Sequence, residues 1–260
     1  MRQLRVLHDC FPDDPALDTA VSRATMRRVA AGELPETLRL ARPARVVAFA
    51  KRDALAPGYA EAVQAAREHG FGSVLRLAGG RAAVFHEGTL ELAHAVPSPE
   101  PRGSIHERFE ATANLIAQAL AGLGVDARVG EVPGEYCPGR WSVNEGGTRK
   151  LAGIGQRVIS GGAHVGTVIV VENAAVVRDV LEPVYAALDL SWDPATVGAV
   201  ERPWEAVRDA VLAGYGERFE LVEDGLDAET LALARTLVDS SSRGGPQPSA
   251  GPGTRYMRDK

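Results

Sequence analysis

The chain has 260 residues, 45% of them hydrophobic, and its 29 Lys and Arg against 34 Asp and Glu give a net charge of −5. This length suits one large domain or a domain with a small appendage, and the mild acidity gives no indication of a nucleic-acid or anionic-membrane partner. No apolar run reaches the roughly 18 to 20 residues that a membrane span needs. With two cysteines and no signal-length apolar start, the sequence predicts a soluble cytoplasmic protein without a disulfide framework or a zinc site.

The first half of the chain alternates short β-rich runs with three helical stretches. Periodicity and turn residues predict strands at 5–7, 38–40, 45–50, 73–77, within 78–86 and at 89–96, and helices over 16–31, 57–69 and 104–123. Asp13, Asp14 and Pro15 mark the start of the first helix. Ser104 followed by Glu107 predicts a capping box at the start of the third.

The second half begins with β-rich runs and then becomes helical. Strands are predicted at 125–129, 150–160 and 163–171, the last two joined as a hairpin by Gly161-Gly162, and helices at 173–188, 203–215 and 227–238. The Ser/Gly/Pro-rich segment 239–260 is typical of a disordered tail. Clustered strands with helices at the start, middle and end indicate an α+β fold with a mostly antiparallel sheet flanked by helices.

Cys137 and Lys150 are the candidate catalytic pair. Cys137 lies in a Pro/Gly loop, and thirteen residues later Lys150 opens an apolar, glycine-punctuated strand. A loop cysteine acts as a nucleophile when a nearby cation favours the thiolate, and a lysine is also suited to hold a developing oxyanion. A buried structural cysteine remains the alternative interpretation of Cys137, and it is the preferred one for Cys10.

A glycine turn and the lysine strand supply the candidate substrate-binding residues. Gly79-Gly80 follows a strand directly, which lets the backbone approach a ligand closely, although an ordinary tight turn also explains the pair. The arginines on either side of it are suited to a carboxylate or phosphate. The predicted substrate-binding set is Arg76, Gly79, Gly80, Arg81, His86, Gly153 and Gln156. The histidines considered alone fit satisfied or exposed side chains better than catalytic bases.

Three segments in this order resemble the lipoate-protein ligase and octanoyltransferase family. They are 76–86 with Gly79-Gly80, the Tyr-Cys-Pro-Gly of 136–139, and the Arg-Lys-Leu-Ala-Gly-Ile-Gly-Gln-Arg of 149–157. The resemblance extends over roughly residues 15 to 190. It implies the class-II-synthetase-like fold of biotin and lipoate protein ligases, with residues 1–238 as a single catalytic domain. The Gly-Gly segment and Lys150 would then line the acyl pocket.

The same resemblance implies chemistry on an octanoyl or lipoyl group destined for a lysine of a lipoyl domain. Cys137 is similar to the acyl-carrying cysteine of the family's amidotransferase branch, which moves octanoyl from the glycine-cleavage H protein to 2-oxoacid dehydrogenase acyltransferase subunits. Such a transferase needs no cofactor. Lys150 would favour the thiolate and polarise the acyl carbonyl.

Two departures from the pattern of the family leave more than one activity open. Arg81 stands where the family's ligases have a third glycine, while His86-Glu87 is similar to the ligases. One alternative is therefore an ATP- and Mg-dependent lipoate ligase, in which Arg76, the glycine pair and Lys150 hold an acyl adenylate. Another is a non-catalytic lipoyl-domain or acyl-binding protein that keeps the fold without the chemistry.

Overall fold

The computed structural model describes residues 1–242, which form two sheets and six α-helices. The strands are β1 (Arg2–Leu7), β2 (Thr37–Ala41), β3 (Val46–Phe49), β4 (Gly72–Leu75), β5 (Ala83–Phe85), β6 (Thr89–Pro97), β7 (Ala127–Val129), β8 (Val143–Glu145), β9 (Arg149–Ile159), β10 (Gly162–Val170) and β11 (Phe219–Glu223). The helices are α1 (Pro15–Ala30), α2 (Tyr59–Glu68), α3 (Ile105–Gly122), α4 (Ala174–Ala187), α5 (Trp204–Gly216) and α6 (Ala228–Ser242). None of these six helices is long and apolar enough to cross a membrane.

The larger sheet has the order β11-β1-β2-β6-β10-β9-β8-β7, and the smaller has the order β4-β3-β5. Strand β1 pairs parallel with β11 and β2, and the other neighbours in the larger sheet are antiparallel. The predicted mixed, mostly antiparallel α+β architecture is therefore confirmed. The separate smaller sheet and strands β8 and β11 were not predicted.

The predicted local signals set the start of α1, whereas the start of α3 agrees with its prediction only in part. The Asp14 carboxylate accepts a hydrogen bond from the Leu17 backbone N–H at 3.0 Å, and Pro15 occupies the first turn. Helix α3 does begin directly after Ser104, yet the Ser104 side chain makes no capping hydrogen bond. The capping-box prediction is wrong because Ser104, at φ −93° and ψ 17°, lacks the extended conformation that an N-cap side chain needs.

Four hydrophobic cores hold the described elements together, the smallest of them between α1 and strands β6 and β9. Helices α3 and α5 pack on one face of the larger sheet, and α2 and α4 pack with the smaller sheet. Helix α6 lies against α1 in a third, smaller core. Helix α6 continues to Ser242, four residues into the predicted tail 239–260, and the rest of that tail lies outside the described residues.

Candidate active site

A cavity of about 370 Å³ lies where the loop after β7 meets the edge of β9. The segment before β5 and the start of α3 close its other sides. Seven of the nine predicted site residues line it: Arg76, Gly79, Gly80, Cys137, Lys150, Gly153 and Gln156. The fold thus brings together residues that lie 80 positions apart in the chain.

The sulfur of Cys137 is in contact with two nitrogen donors. The backbone N–H of Arg81 points at Sγ from 3.2 Å, and the guanidinium Nη1 of Arg76 lies 3.7 Å from it. Cys137 also has φ +42°, in the left-handed region that is uncommon for a residue other than glycine. Backbone strain of this kind is found at functional sites, where the surrounding structure holds it in place.

Tyr185 fixes this strained loop and was missed by the sequence analysis. The Cys137 backbone N–H donates to the Tyr185 hydroxyl at 2.9 Å, and that hydroxyl donates to the Ala82 carbonyl at 3.0 Å. Burial raises the pKa of Tyr185, so the hydroxyl keeps its proton as a donor. Because Tyr185 is 48 residues from Cys137 and belongs to α4, no local pattern could have predicted this link.

Lys150 holds the loop that contains Cys137 through three hydrogen bonds. Its ammonium donates to the Glu135 carboxylate at 3.1 Å, to the Tyr136 carbonyl at 3.0 Å and to the Cys137 carbonyl at 2.8 Å. An ammonium has three N–H donors, so these bonds use all of them. Within residues 1–242 no hydrogen bond joins Lys150 to Sγ, and the cation beside the sulfur is Arg76.

Glu135 completes this anchor and was also missed. Its side chain is fully buried, and besides Lys150 it accepts from the Gly139 N–H at 2.9 Å, the Ser142 hydroxyl at 2.6 Å and the Val132 N–H at 3.2 Å. A buried carboxylate is tolerated when it is paired and hydrogen-bonded in this way. The acidic residue beside Tyr-Cys-Pro-Gly was its one sequence signal.

Two glycines leave room for side chains of the site: the Cys137 sulfur lies close to the Gly80 backbone, and the Arg76 guanidinium lies close to the Gly155 backbone. Gly80 has φ +115°, and a Cβ added to it would lie 2.8 Å from Sγ. A Cβ on Gly155 of β9 would lie 2.8 Å from the Ala78 Cβ and 2.9 Å from the Arg76 Nη2. Of the pair Gly79-Gly80, only Gly80 comes this close to other side chains, since a Cβ on Gly79 would meet nothing within 4 Å; an approach of this turn to a ligand stays a prediction.

Three further predicted residues, Gln156, Arg81 and His86, are engaged by other parts of the protein. Gln156 lines the cavity, but its oxygen accepts from Arg108 and its nitrogen donates to the Ile105 carbonyl, which ties β9 to α3. Arg81 presents its backbone to the sulfur while its guanidinium pairs with Asp53 at 3.0 Å. His86 lies outside the cavity, fully buried, and its Nδ1 accepts from the Gly88 N–H.

A second cavity of about 90 Å³ extends the first one under α1. Arg76, Gly153 and Val168 line both spaces. Apolar side chains form much of its wall, including Phe11, Leu77, Phe85 and Leu92. Burial raises the pKa of Glu91 in this wall to about 7 and lowers that of His164 to about 3, so His164 is uncharged at neutral pH. The exposed Cys10 lies at its mouth rather than in a core.

Within residues 1–242 no group of three or more His, Cys, Asp or Glu side chains is arranged to hold a metal ion. Among the described residues, the hydrogen-bond donors to Sγ are the Arg81 backbone N–H and the Arg76 guanidinium. This set is suited to stabilise negative charge on sulfur or on an oxygen bound to the carbon that the sulfur attacks.

The comparisons with known proteins agree with the resemblance seen in the sequence. The model of the lipoyl protein ligase A/B catalytic domain matches residues 14–190. An octanoyl-[GcvH]:protein N-octanoyltransferase of Geobacillus kaustophilus is 31% identical over 159 residues, which cover 61% of this chain and 56% of that protein. A lipoyl-[GcvH]:protein N-lipoyltransferase of Listeria monocytogenes is 27% identical over 172 residues, covering 65% and 62%. The chain thus matches little more than half of these curated relatives' length.

Solved structures confirm the predicted lipoate-protein ligase fold. A lipoate-protein ligase A bound with ATP superposes with a TM-score of 0.76 at 21% identity, covering 92% of this chain and 95% of the other. The bi-partite lipoate protein ligase of Thermoplasma acidophilum gives a TM-score of 0.73 at 19% identity, covering 92% and 93%. At these identities the likeness concerns the fold alone.

Proposed function

The chain belongs to the lipoyl protein ligase A/B catalytic domain family, and from this membership we propose that it is an acyltransferase of protein lipoylation. It moves an octanoyl or lipoyl group through a thioester on Cys137 to a lysine of a lipoyl domain. The observation that carries this proposal is the position of the Cys137 sulfur, in the cavity wall with the Arg81 N–H and the Arg76 guanidinium directed at it.

The first chemical step forms the thioester. The Cys137 sulfur attacks the carbonyl carbon of an acyl-lysine amide, and the negative charge that develops on the carbonyl oxygen is stabilised by donors beside the sulfur. The C–N bond then breaks, and the leaving lysine amine takes the proton that the thiol gave up. The C–S bond that remains holds the acyl group on the enzyme.

The second step reverses the first with a new amine. The neutral lysine amine of the acceptor domain attacks the thioester carbon, the C–S bond breaks and an amide forms, while the proton lost by the amine restores the thiol. Lys150 contributes indirectly by holding the Cys137 carbonyl, and with it the strained loop, in the geometry that both steps require.

The acyl chain would extend from Cys137 past Arg76 and Gly153 into the second cavity. The apolar side chains there suit a hydrocarbon chain, and each methylene that is buried contributes about 0.8 kcal/mol to binding. Gly153, opposite Val168 in the β9–β10 pair, leaves the passage between the cavities open on one side.

Two features favour a transferase over an ATP- and Mg-dependent ligase. A ligase that activates the acid as an adenylate has no need for a cysteine at this position, yet Cys137 lies at the centre of the site. In addition, the three N–H donors of Lys150 are already used by Glu135 and two loop carbonyls, so none is free for a phosphate. A non-catalytic binding protein would require neither the strained cysteine nor its two donors.

The relatives' names point to the H protein of glycine cleavage as one partner, and we propose such lysine-bearing carriers as donor and acceptor. In this scheme the reaction needs no cofactor, the substrates are carried by cytoplasmic proteins, and residues 1–238 supply the catalytic domain.

The test is acyl transfer from an octanoylated H protein to an apo lipoyl domain in the absence of ATP. Wild type is expected to transfer, and Cys137→Ala to give no product above background. Cys10→Ala is the matched control, because it removes the other of the two cysteines, which lies at the mouth of the second cavity and does not line the cavity that contains Cys137. Full transfer by Cys137→Ala, or transfer that appears only with ATP and free octanoic acid, would refute the proposal.

A further inference from the structure

Residues 51–58, here called the rim loop, follow β3 and are fixed beside the Gly79-Gly80 turn. The Asp53 side chain is fully buried; it accepts from the Ala50 N–H at 2.9 Å and from the Arg81 guanidinium at 3.0 Å. Arg52 donates to the Gly80 carbonyl at 2.6 Å. The rim loop is thus tied at two points to the segment that touches the Cys137 sulfur.

This anchored loop presents an apolar side chain to solvent. Leu55 is 86% exposed, the most exposed large hydrophobic side chain in the described part of the chain. A single exposed leucine is ordinary on a protein surface. Leu55 is different in its setting, since its loop is bonded through Arg52 and Asp53 to the Gly80-Arg81 segment of the candidate active site.

Three arginines around the cavity lack carboxylate partners among the described residues. Arg52, Arg76 and Arg140 take part in no ion pair with the described residues, whereas the buried carboxylates nearby, Asp53 and Glu135, are paired with Arg81 and Lys150. Arg140 lines the cavity three residues after Cys137 and lies over the Trp141 ring. Because the whole chain is acidic, at net −5, this positive rim is a local feature and not a consequence of composition.

We infer that the rim formed by Arg52, Leu55 and Arg140 is the docking surface for the protein that carries the acyl-lysine, and that this protein presents acidic side chains around the lysine together with an apolar contact for Leu55. The inference rests on the proposed function. A lysine side chain is short, so the domain that bears it must touch the rim while its acyl carbon reaches Cys137. Opposite charges at such a contact guide encounter and orientation more than they add to affinity.

The experiment separates docking from chemistry with three acyl donors. Arg52→Glu, Arg140→Glu and Leu55→Ser are compared with Arg67→Glu, an exposed charge reversal on α2 outside both cavities. The donors are an octanoylated H protein, octanoyl-coenzyme A, which carries phosphates, and the uncharged thioester octanoyl-N-acetylcysteamine. For the protein donor we expect each rim charge reversal to raise KM at least tenfold with little change in kcat, and Leu55→Ser to raise it less. Rates with the uncharged thioester should fall less than rates with the protein donor in both charge reversals, and Leu55→Ser, which lies outside both cavities, should leave them within twofold of wild type.

A binding measurement keeps the inference testable apart from turnover. In a Cys137→Ala background, which cannot form the thioester, Arg52→Glu should weaken binding of the octanoylated H protein tenfold, and 0.5 M NaCl should weaken wild-type binding as well. Absence of Cys137 acylation from every donor would refute the proposed function while this binding result still decides the docking surface. Unchanged protein binding in the rim variants, equal losses with the uncharged thioester, or losses confined to octanoyl-coenzyme A would overturn the inference.

Discussion

Arginines in two regions of this chain are arranged in opposite ways. Where α6 meets α1, Arg28 is buried and donates to Asp227, Glu229 and Glu33, so its charge is fully engaged by carboxylates. At the cavity, Arg76 contacts the Arg81 carbonyl and the Cys137 sulfur, with no carboxylate among its described partners. The comparison indicates that a paired cation stabilises the fold, whereas a cation left without a counter-ion remains available to a substrate.

Lys150 is the residue that tests this distinction within the site, because it lies at the cavity but is paired like Arg28. Replacing it by Met in Lys150→Met leaves the buried Glu135 charge without a partner, which should cost about 3 to 5 kcal/mol of unfolding free energy and abolish transfer. Chemical denaturation and transfer assays measure both effects. In the double variant with Glu135→Gln most of the lost stability should return; a single variant with wild-type stability would contradict the assignment.

Replacing Arg76 is predicted to lower activity while leaving stability nearly unchanged. In Arg76→Gln the guanidinium beside the sulfur is lost, and transfer should fall about 10²-fold, as when a donor to a developing oxyanion is removed. The melting temperature should change little, since no buried carboxylate loses its partner. Rapid-quench kinetics of enzyme acylation give the rate of the affected step. A variant that loses stability and keeps its rate would place Arg76 with the structural arginines.

Arg28 supplies the matched comparison on the other side of the molecule. In Arg28→Gln the charge-assisted hydrogen bonds to Asp227 and Glu229 are lost. Because these carboxylates are partly exposed, the loss should lower the free energy of unfolding by about 2 kcal/mol. At a temperature where the variant stays folded, transfer should remain within twofold of wild type. A large loss of activity in the folded variant would break the division between the two regions.

Gly80 and Gly79 provide a finer test of the geometry at the sulfur. Ala at position 80 in Gly80→Ala would hold an unfavourable positive φ, at about 1 to 2 kcal/mol, and its methyl would push against Sγ. The rate of acyl transfer should fall even under conditions in which the variant stays folded, so the loss of stability alone does not account for it. Gly79→Ala, whose methyl meets nothing within 4 Å, should behave like wild type in both denaturation and transfer. Identical effects of the two substitutions would contradict the described turn.

The smallest expected effect is on the stability of the fold at acid pH. Although partial burial acts to raise it, hydrogen bonds from Thr230 and the charge of Arg28 hold the pKa of Asp227 at about 2, below its ordinary value of 3.8. A carboxylate with a lowered pKa stabilises the fold above pH 4 and loses that contribution as the pH falls toward 2. Because Asp227 is partly exposed, screening keeps the contribution below about 1 kcal/mol. Wild type should therefore lose stability between pH 4 and 2 slightly more steeply than Asp227→Asn.

Sequence patterns predicted those parts of the fold that depend on local periodicity. The Asp14-Pro15 start of α1 and the Gly161-Gly162 hairpin were confirmed because each signal acts over a few residues. Strand β11 was missed because its place is decided by parallel pairing with β1, more than 200 residues earlier. The three-stranded second sheet was missed for the same reason, since its pairings are set by tertiary contacts.

At the site, the sequence predicted most of the residues that meet but not what they do there. Cys137, Lys150 and Gly79-Gly80 do share one cavity, as expected from three separate segments. The sequence could not show that Glu135 engages Lys150, or that Arg76 therefore becomes the cation beside the sulfur. Those assignments depend on distances between side chains that are far apart in the chain. The catalytic functions of these residues remain predictions.

The most direct test of the account is the mass of the intact chain after mixing with an octanoylated H protein in the absence of ATP. We expect an added octanoyl group that maps to Cys137, is removed by neutral hydroxylamine, and forms slowly in Arg76→Gln but normally in Arg28→Gln. No adduct on wild type, or an adduct on Cys137 that forms equally fast in both arginine variants, would contradict the claim that the unpaired arginine serves the sulfur.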